Sequence, residues 1–114
     1  MKRVYVAGPY SSDNVIGVLS NMRKGIDACV VLIRHGFAPF CPWLDFQYGL
    51  VASLSLEDFQ GISMAWLEGA DAVFLLHGWQ DSKGATAERE RAIELGIPVF
   101  SDWGNLISWR DSDE

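Results

Sequence analysis

Cysteine and histidine are scarce in this chain. Cys29 and Cys41 are the two cysteines, and His35 and His77 are the two histidines. Their spacing is not that of metal ligands, which argues against a structural zinc, and two cysteines are too few for a disulfide-stapled framework. Long apolar runs are missing as well, since none approaches the ~20 residues that span a bilayer. The opening MKRVYVAGPY turns polar too soon for a signal peptide. Positive charge is in deficit, with nine Lys and Arg against fifteen Asp and Glu and a net charge of −6. A protein that grips a nucleic-acid polymer needs a basic face to displace counterions from phosphates, so that class is set aside. A single nucleotide asks only for a local pocket of donors. Repeats, linkers and low-complexity segments are also absent. These deficits together predict a soluble, cytoplasmic chain with no membrane partner, no metal and no cofactor.

What is present is globular. The 114 residues are 49% apolar and 21% charged, the composition of one domain over residues 1–114. Lys2 to Ala7 reads as a strand that stops at Gly8-Pro9. Asp13 or Asn14 is placed to cap the helix that follows. In it Val15, Val18, Leu19, Met22, Ile26, Val30 and Ile33 recur at helical spacing, and Gly36 ends it. Gly17 and Gly25 weaken a helix interior, which points to close packing at those positions. Phe37 to Cys41 predicts a second strand, closed by Pro42. Residues 43–55 read as a long aromatic loop, and loops of that length in a small domain are usually functional. Ser55 opens a helix to about Gly69, Asp71 to Leu76 is a continuous apolar strand, and a helix follows from about Thr86 to Leu95. Ile97 to Ser101 is a last strand, and the tail from Asp102 is ambiguous. Strands alternate with helices and are apolar on both faces. The prediction is therefore an α/β chain, a small three-layer sandwich with a mainly parallel sheet of four to five strands, flavodoxin- or Rossmann-like. Ligands in such folds bind at the carboxyl ends of the strands, where residues 8–14, 42–48 and 77–88 should gather.

Glu88 is the most informative residue. On a helical wheel Ala85, Glu88, Ala92 and Leu95 share one face, while Glu90 and Glu94 lie opposite. This makes Glu88 an inward carboxylate at the first turn of its helix, where the helix dipole favours the ionised form. An ionised, shielded carboxylate is what a nucleophile at a sugar carbon requires. The competing reading is an acid that only stabilises its helix. The loop GWQDSKG ends at that helix, so its backbone N–H groups with Ser82, Gly84 and Lys83 could hold a phosphate, or form an ordinary turn. Gly8, Tyr10, Ser11 and Ser12 make a comparable loop, readable also as a turn plus cap. Tyr5 lies inside the first strand, and a buried hydroxyl there needs a partner. Trp43, Phe46, Gln47 and Tyr48 could stack on or hydrogen-bond a planar base, or serve as core or dimer interface.

The segments VYVAGPY, PWLDFQY and ADAVFLLHGWQDSKGATAERERAIELGIPVF together resemble the nucleoside 2-deoxyribosyltransferase superfamily, over roughly Val4 to Phe100. The superfamily includes small N-glycosidases of nucleoside 5′-monophosphates. The resemblance implies Glu88 as catalytic nucleophile and Tyr5 as the hydroxyl that orients it. It places Gly8 and the residues after it at the sugar and phosphate, Ser82 at the phosphate, and Asp45 and Gln47 near the base. Two departures stand out. The family's Asp, eight residues ahead of Asp71, is Ser63 here, leaving Asp45, Asp58 or water to assist the leaving base. The family's arginine in the first loop is Ser11. The implied activity is hydrolysis of the N-glycosidic bond of a (deoxy)nucleoside 5′-monophosphate by retaining displacement. The alternatives are base exchange between deoxynucleosides and a non-catalytic nucleotide-binding module. The implied partners are a small-molecule nucleotide or nucleoside and a second copy of the chain, with Trp103 and Trp109 available for an interface or for capping the core.

Overall fold

The computed structural model describes residues 1–112. Four strands, β1 (Arg3–Ala7), β2 (Ala38–Phe40), β3 (Ala72–Leu75) and β4 (Val99–Phe100), alternate with helices α1 (Val15–Arg34), α2 (Leu56–Glu68), α3 (Lys83–Glu94) and α4 (Trp103–Ser112). All pairings are parallel, in the order β2-β1-β3-β4, with Tyr5 opposite Phe40 on one side and Val73 on the other. This is the flavodoxin-like three-layer sandwich that the alternation predicted, with four strands. The chain reverses its direction of strand addition between β1 and β3, the place where such folds open a crevice.

The period of two along β1 decides the layers. Val4 and Val6 face α1 and α4, in a core shared with Cys29, Leu32, Phe37, Trp43, Phe74 and Leu106. Tyr5 and Ala7 face the other way, into a core with Leu67, Val73, Leu75, Ala85 and Ala92. Tyr5 is thus brought under α2 and α3, which carry Ser63 and Glu88.

Three local readings need correction. The apolar residues at helical spacing in α1 divide: Val15, Leu19, Val30 and Ile33 are exposed, Met22 and Ile26 pack on the core, and the buried residues are Gly25, Ala28, Cys29 and Leu32. The helix is apolar on two sides, and the side against the core is the one with small residues, in keeping with the close packing expected at Gly25. A Cβ on Gly25 would lie 2.2 Å from the Trp43 ring, so glycine is what lets the indole sit on the helix. The segment after β2 is a 3-10 helix over Pro42–Leu50, with proline at its start, and not an open loop. The ambiguous tail is α4. Its Trp103 stacks on Phe74 at 4.1 Å and its Trp109 packs on Phe100 at 5.5 Å, so both cap the core.

Elsewhere the local signals held. Asn14 caps α1 by accepting from Gly17 N–H, Ser55 forms a capping box with Asp58, and Gly36 ends α1 with φ of +83°. Among the described residues no helix is long and apolar enough to cross a membrane, and no group of three potential metal ligands occurs.

Candidate active site

The three segments that follow β1, β2 and β3 meet at the switch point. Gly8 packs against Leu76, where a Cβ would come within 3.0 Å, so its small size serves this packing. Trp43 Nε1 donates to the Pro9 carbonyl at 3.1 Å. The Asn21 side-chain amide donates to the Tyr10 and Ser11 carbonyls at 3.1 and 3.3 Å, holding the first loop to α1.

α3 begins at Lys83, three residues earlier than the periodicity suggested, because Ser82 caps it by accepting from Ala85 N–H at 3.2 Å. The apolar pattern could not show this, since Lys83, Gly84 and Thr86 add nothing to it. Glu88 is consequently in the second turn, beyond the reach of the helix dipole. Its inward direction is as expected: Ala85 and Ala92 on the same face are fully buried, although Leu95 is exposed. The side chain of Glu88 is mostly covered, and Tyr5 Oη donates to its Oε2. Its Oε1 is left without a hydrogen-bond partner among the described residues.

Burial and the tyrosine act on Glu88 in opposite directions. Removal from water penalises the charged form, and the Tyr5 hydroxyl favours it; burial wins and the carboxyl is raised to about 7. The dipole-based expectation of an easily ionised group is therefore overturned. Tyr5 is itself pushed up, first by burial and then by the charge of Glu88, with the nearby Ser63 hydroxyl partly offsetting this. At neutral pH Tyr5 is a firm donor. Its ring stacks on Phe40 at 5.3 Å, and Phe40 stacks on Trp66 at 5.5 Å.

Beside this pair lies a cleft of about 130 Å³, lined by Tyr10, Pro42, Asp45, Phe59 and Ser63. Burial raises the Asp45 carboxyl. Its charge contributes to the upward shifts of both Tyr5 and Tyr10. Ser63 thus belongs to both groups, touching the cleft and facing Tyr5.

The remaining candidates divide. Ser82 and Gly84 lie at the open end of α3, and the Ser82 hydroxyl, accepting from Ala85, keeps its proton free to donate. Ser11 and Ser12 are exposed. The Ser12 Oγ would lie 1.9 Å from a Cβ on Gly17, which explains that glycine. Trp43 is 1% exposed and is core, so it offers no face to a ligand. Gln47 is exposed and outside the cleft. Asp58 is spent on the capping box with Ser55. Phe59, Asn21 and the Phe40–Trp66 stack were not singled out from the sequence. A polar Asn21 within an apolar helix was the one available signal; Phe59 reads as an ordinary helical hydrophobe.

Known proteins agree with this architecture. A solved 2-deoxyribosyltransferase from the psychrotolerant bacterium Bacillus psychrosaccharolyticus superposes with a TM-score of 0.62 and 21% identity, covering 85% of this chain and 69% of that one. That enzyme is described as a suitable biocatalyst for the industrial synthesis of antiviral and antitumoral nucleosides. No protein of curated function matches the chain. A family model described as a domain of unknown function, DUF4406, matches residues 2–101. The chain therefore belongs to the DUF4406 family and carries the fold of the nucleoside 2-deoxyribosyltransferases.

Proposed function

We propose that this protein is an enzyme that hydrolyses the N-glycosidic bond of a (deoxy)nucleoside 5′-monophosphate, with Glu88 as nucleophile. The observation that carries the reading is the shielded Glu88 carboxylate held through Oε2 by Tyr5, with Oε1 free, beside the cleft whose lining includes the residues that follow β1 and β2. A protein that only bound an anionic ligand would gain nothing from an inward carboxylate there. Glu88 Oε1 attacks the anomeric carbon as the bond to the base breaks. The base leaves with that electron pair and takes up a proton. The resulting ester between Glu88 and the sugar is cleaved by water, which frees the sugar phosphate and restores the carboxylate. The phosphate is proposed to sit at the N-terminus of α3, on the free N–H groups of its first turn and the Ser82 hydroxyl, with Lys83 nearby. Ser11, Ser12 and Tyr10 close the sugar side, and Asp45 and Ser63 face the base. The proposal gives no direct role to Trp43 or Gln47.

Base exchange is the second reading, favoured by the likeness to a deoxyribosyltransferase. The two differ in whether water or a second base takes the sugar from Glu88. The uncovered apolar residues of α1 (Val15, Ile16, Leu19) and of the 42–56 region (Phe46, Leu50, Val51, Leu56) support a homo-oligomer, a dimer or larger.

The test is release of free base from a panel of ribo- and deoxyribonucleoside monophosphates and the matching nucleosides, with and without an acceptor base. Hydrolysis of monophosphates in water that is lost in Glu88→Ala supports the proposal. New nucleoside formed only with acceptor assigns base exchange instead. Undiminished ligand binding with no release by either form assigns a binding module.

A further inference from the structure

We infer that Asp45 selects the departing base, and that the cleft takes rings presenting N–H donors, the guanine edge best, over uracil and thymine. The inference rests on the reading of this site as a nucleotide pocket. Three of the five lining residues, Tyr10, Phe59 and Pro42, offer flat apolar surface, suited to the faces of a planar ring. The polar groups are Ser63 and Asp45. A serine hydroxyl donates or accepts and so discriminates little, whereas an ionised carboxylate only accepts.

No described residue makes a hydrogen bond or an ion pair with Asp45. The titratable groups near it are the Tyr5 and Tyr10 hydroxyls and the Cys41 thiol, and none is cationic. In the open cleft water serves this carboxylate. A ring that enters displaces the water and must replace its donors, because a charged group buried without partners is costly. Guanine does this best: its N1–H and N2 amino group are adjacent donors that match the two carboxylate oxygens. Cytosine and adenine each offer one amino group, and that of cytosine is a known partner for Asp. Uracil and thymine place a single N–H between two carbonyl oxygens, which would face the carboxylate with like partial charge.

The experiment uses the full chain carrying Glu88→Gln, so that nothing turns over, with and without Asp45→Asn. The 5′-monophosphates of guanosine, cytidine, adenosine, uridine and thymidine are titrated by calorimetry. Asn is close in shape to Asp and offers both a donor and an acceptor, and a melting curve for each variant verifies folding. With Asp45 present, the guanosine nucleotide should bind on the order of 10-fold or more tighter than the uridine nucleotide, the size of effect expected from hydrogen bonds to a charged group. Asp45→Asn should remove that preference and leave uridine binding equal or better. Equal binding of all bases, or one common fold-change for all of them in Asp45→Asn, overturns the inference. Base-selective binding that depends on Asp45, with no base release by the chain that retains Glu88, overturns the hydrolase reading and leaves this assignment standing. Failure of every monophosphate to bind overturns both.

Discussion

The two carboxylates of the site sit on walls of opposite character. Glu88 projects from α3 between Ala85 and Ala92, both closed against the sheet, and is tied to Tyr5 in the centre of β1. Asp45 projects from the 3-10 segment Pro42–Leu50, whose neighbours Leu44, Phe46, Tyr48 and Leu50 are half or more exposed. The first wall fixes a group in place at a cost in solvation. The second presents a group on a segment anchored at one end, by Trp43 on Gly25 and Pro9. Such a division suits an enzyme whose chemistry is fixed and whose substrate range is set by a more adjustable surface.

The contrast is sharpest in stability. A carboxyl raised to about 7 by burial is a net burden once it ionises. Its ordinary value is 4.5, so folding carries no penalty from Glu88 below about pH 4, and the penalty grows as pH rises through about 7. Glu88→Gln should therefore stabilise the fold by about 2–3 kcal/mol at pH 8 and by almost nothing near pH 4. Denaturant unfolding at the two pH values checks this, and an equal effect at both would remove the account of the shift. Gly25→Ala attacks the anchor of the other wall. The new methyl meets the Trp43 ring, and a loss of about 1–3 kcal/mol is expected, measured as a lower melting temperature.

Tyr5→Phe separates the stack from the hydroxyl. The ring contact with Phe40 is kept, so the loss of stability should be limited to the carboxylate left without its donor, about 1–3 kcal/mol at neutral pH, while kcat for base release should fall roughly 10-fold through loss of one oriented hydrogen bond. The hydroxyl lowers the Glu88 pKa, so the rise of activity with pH should move above 7 in this variant. An unmoved profile would mean that the hydroxyl does not act on Glu88. The smallest effect belongs to the exposed segment. Leu50→Ser, at a residue 86% exposed, should change monomer stability by less than about 0.5 kcal/mol. A measurable drop in apparent mass by sedimentation would show that the residue is covered in an oligomer.

Much of this contrast was legible in the sequence, and unevenly so. The inward direction of Glu88 followed from helical periodicity, because Ala85 and Ala92 mark the buried face whatever the exact start of α3. Its environment did not follow. The start of α3 depends on a capping bond from Ser82, and burial of a carboxyl depends on what β1 and α2 bring beside it, both of which are tertiary facts. The four-stranded parallel order could be read from alternation, whereas the side of α1 that faces the sheet could not, since glycine and alanine make a close contact without raising hydrophobicity. Trp43 was offered to the ligand because aromatics look alike along a chain. Only packing shows that its indole lies on Gly25 while Phe59, in the helix that follows that segment, lines the cleft.

The central claim is that Glu88, ionised, forms the bond to the sugar. Its most direct test is single-turnover release of base from a bound nucleoside monophosphate between pH 5 and 9 (about two pH values either side of the Glu88 midpoint), by the unaltered chain and by Glu88→Ala. The account expects release that rises with pH through about 7 and that is absent from the variant at every pH. Release that persists in Glu88→Ala, or that shows no such rise, would contradict it.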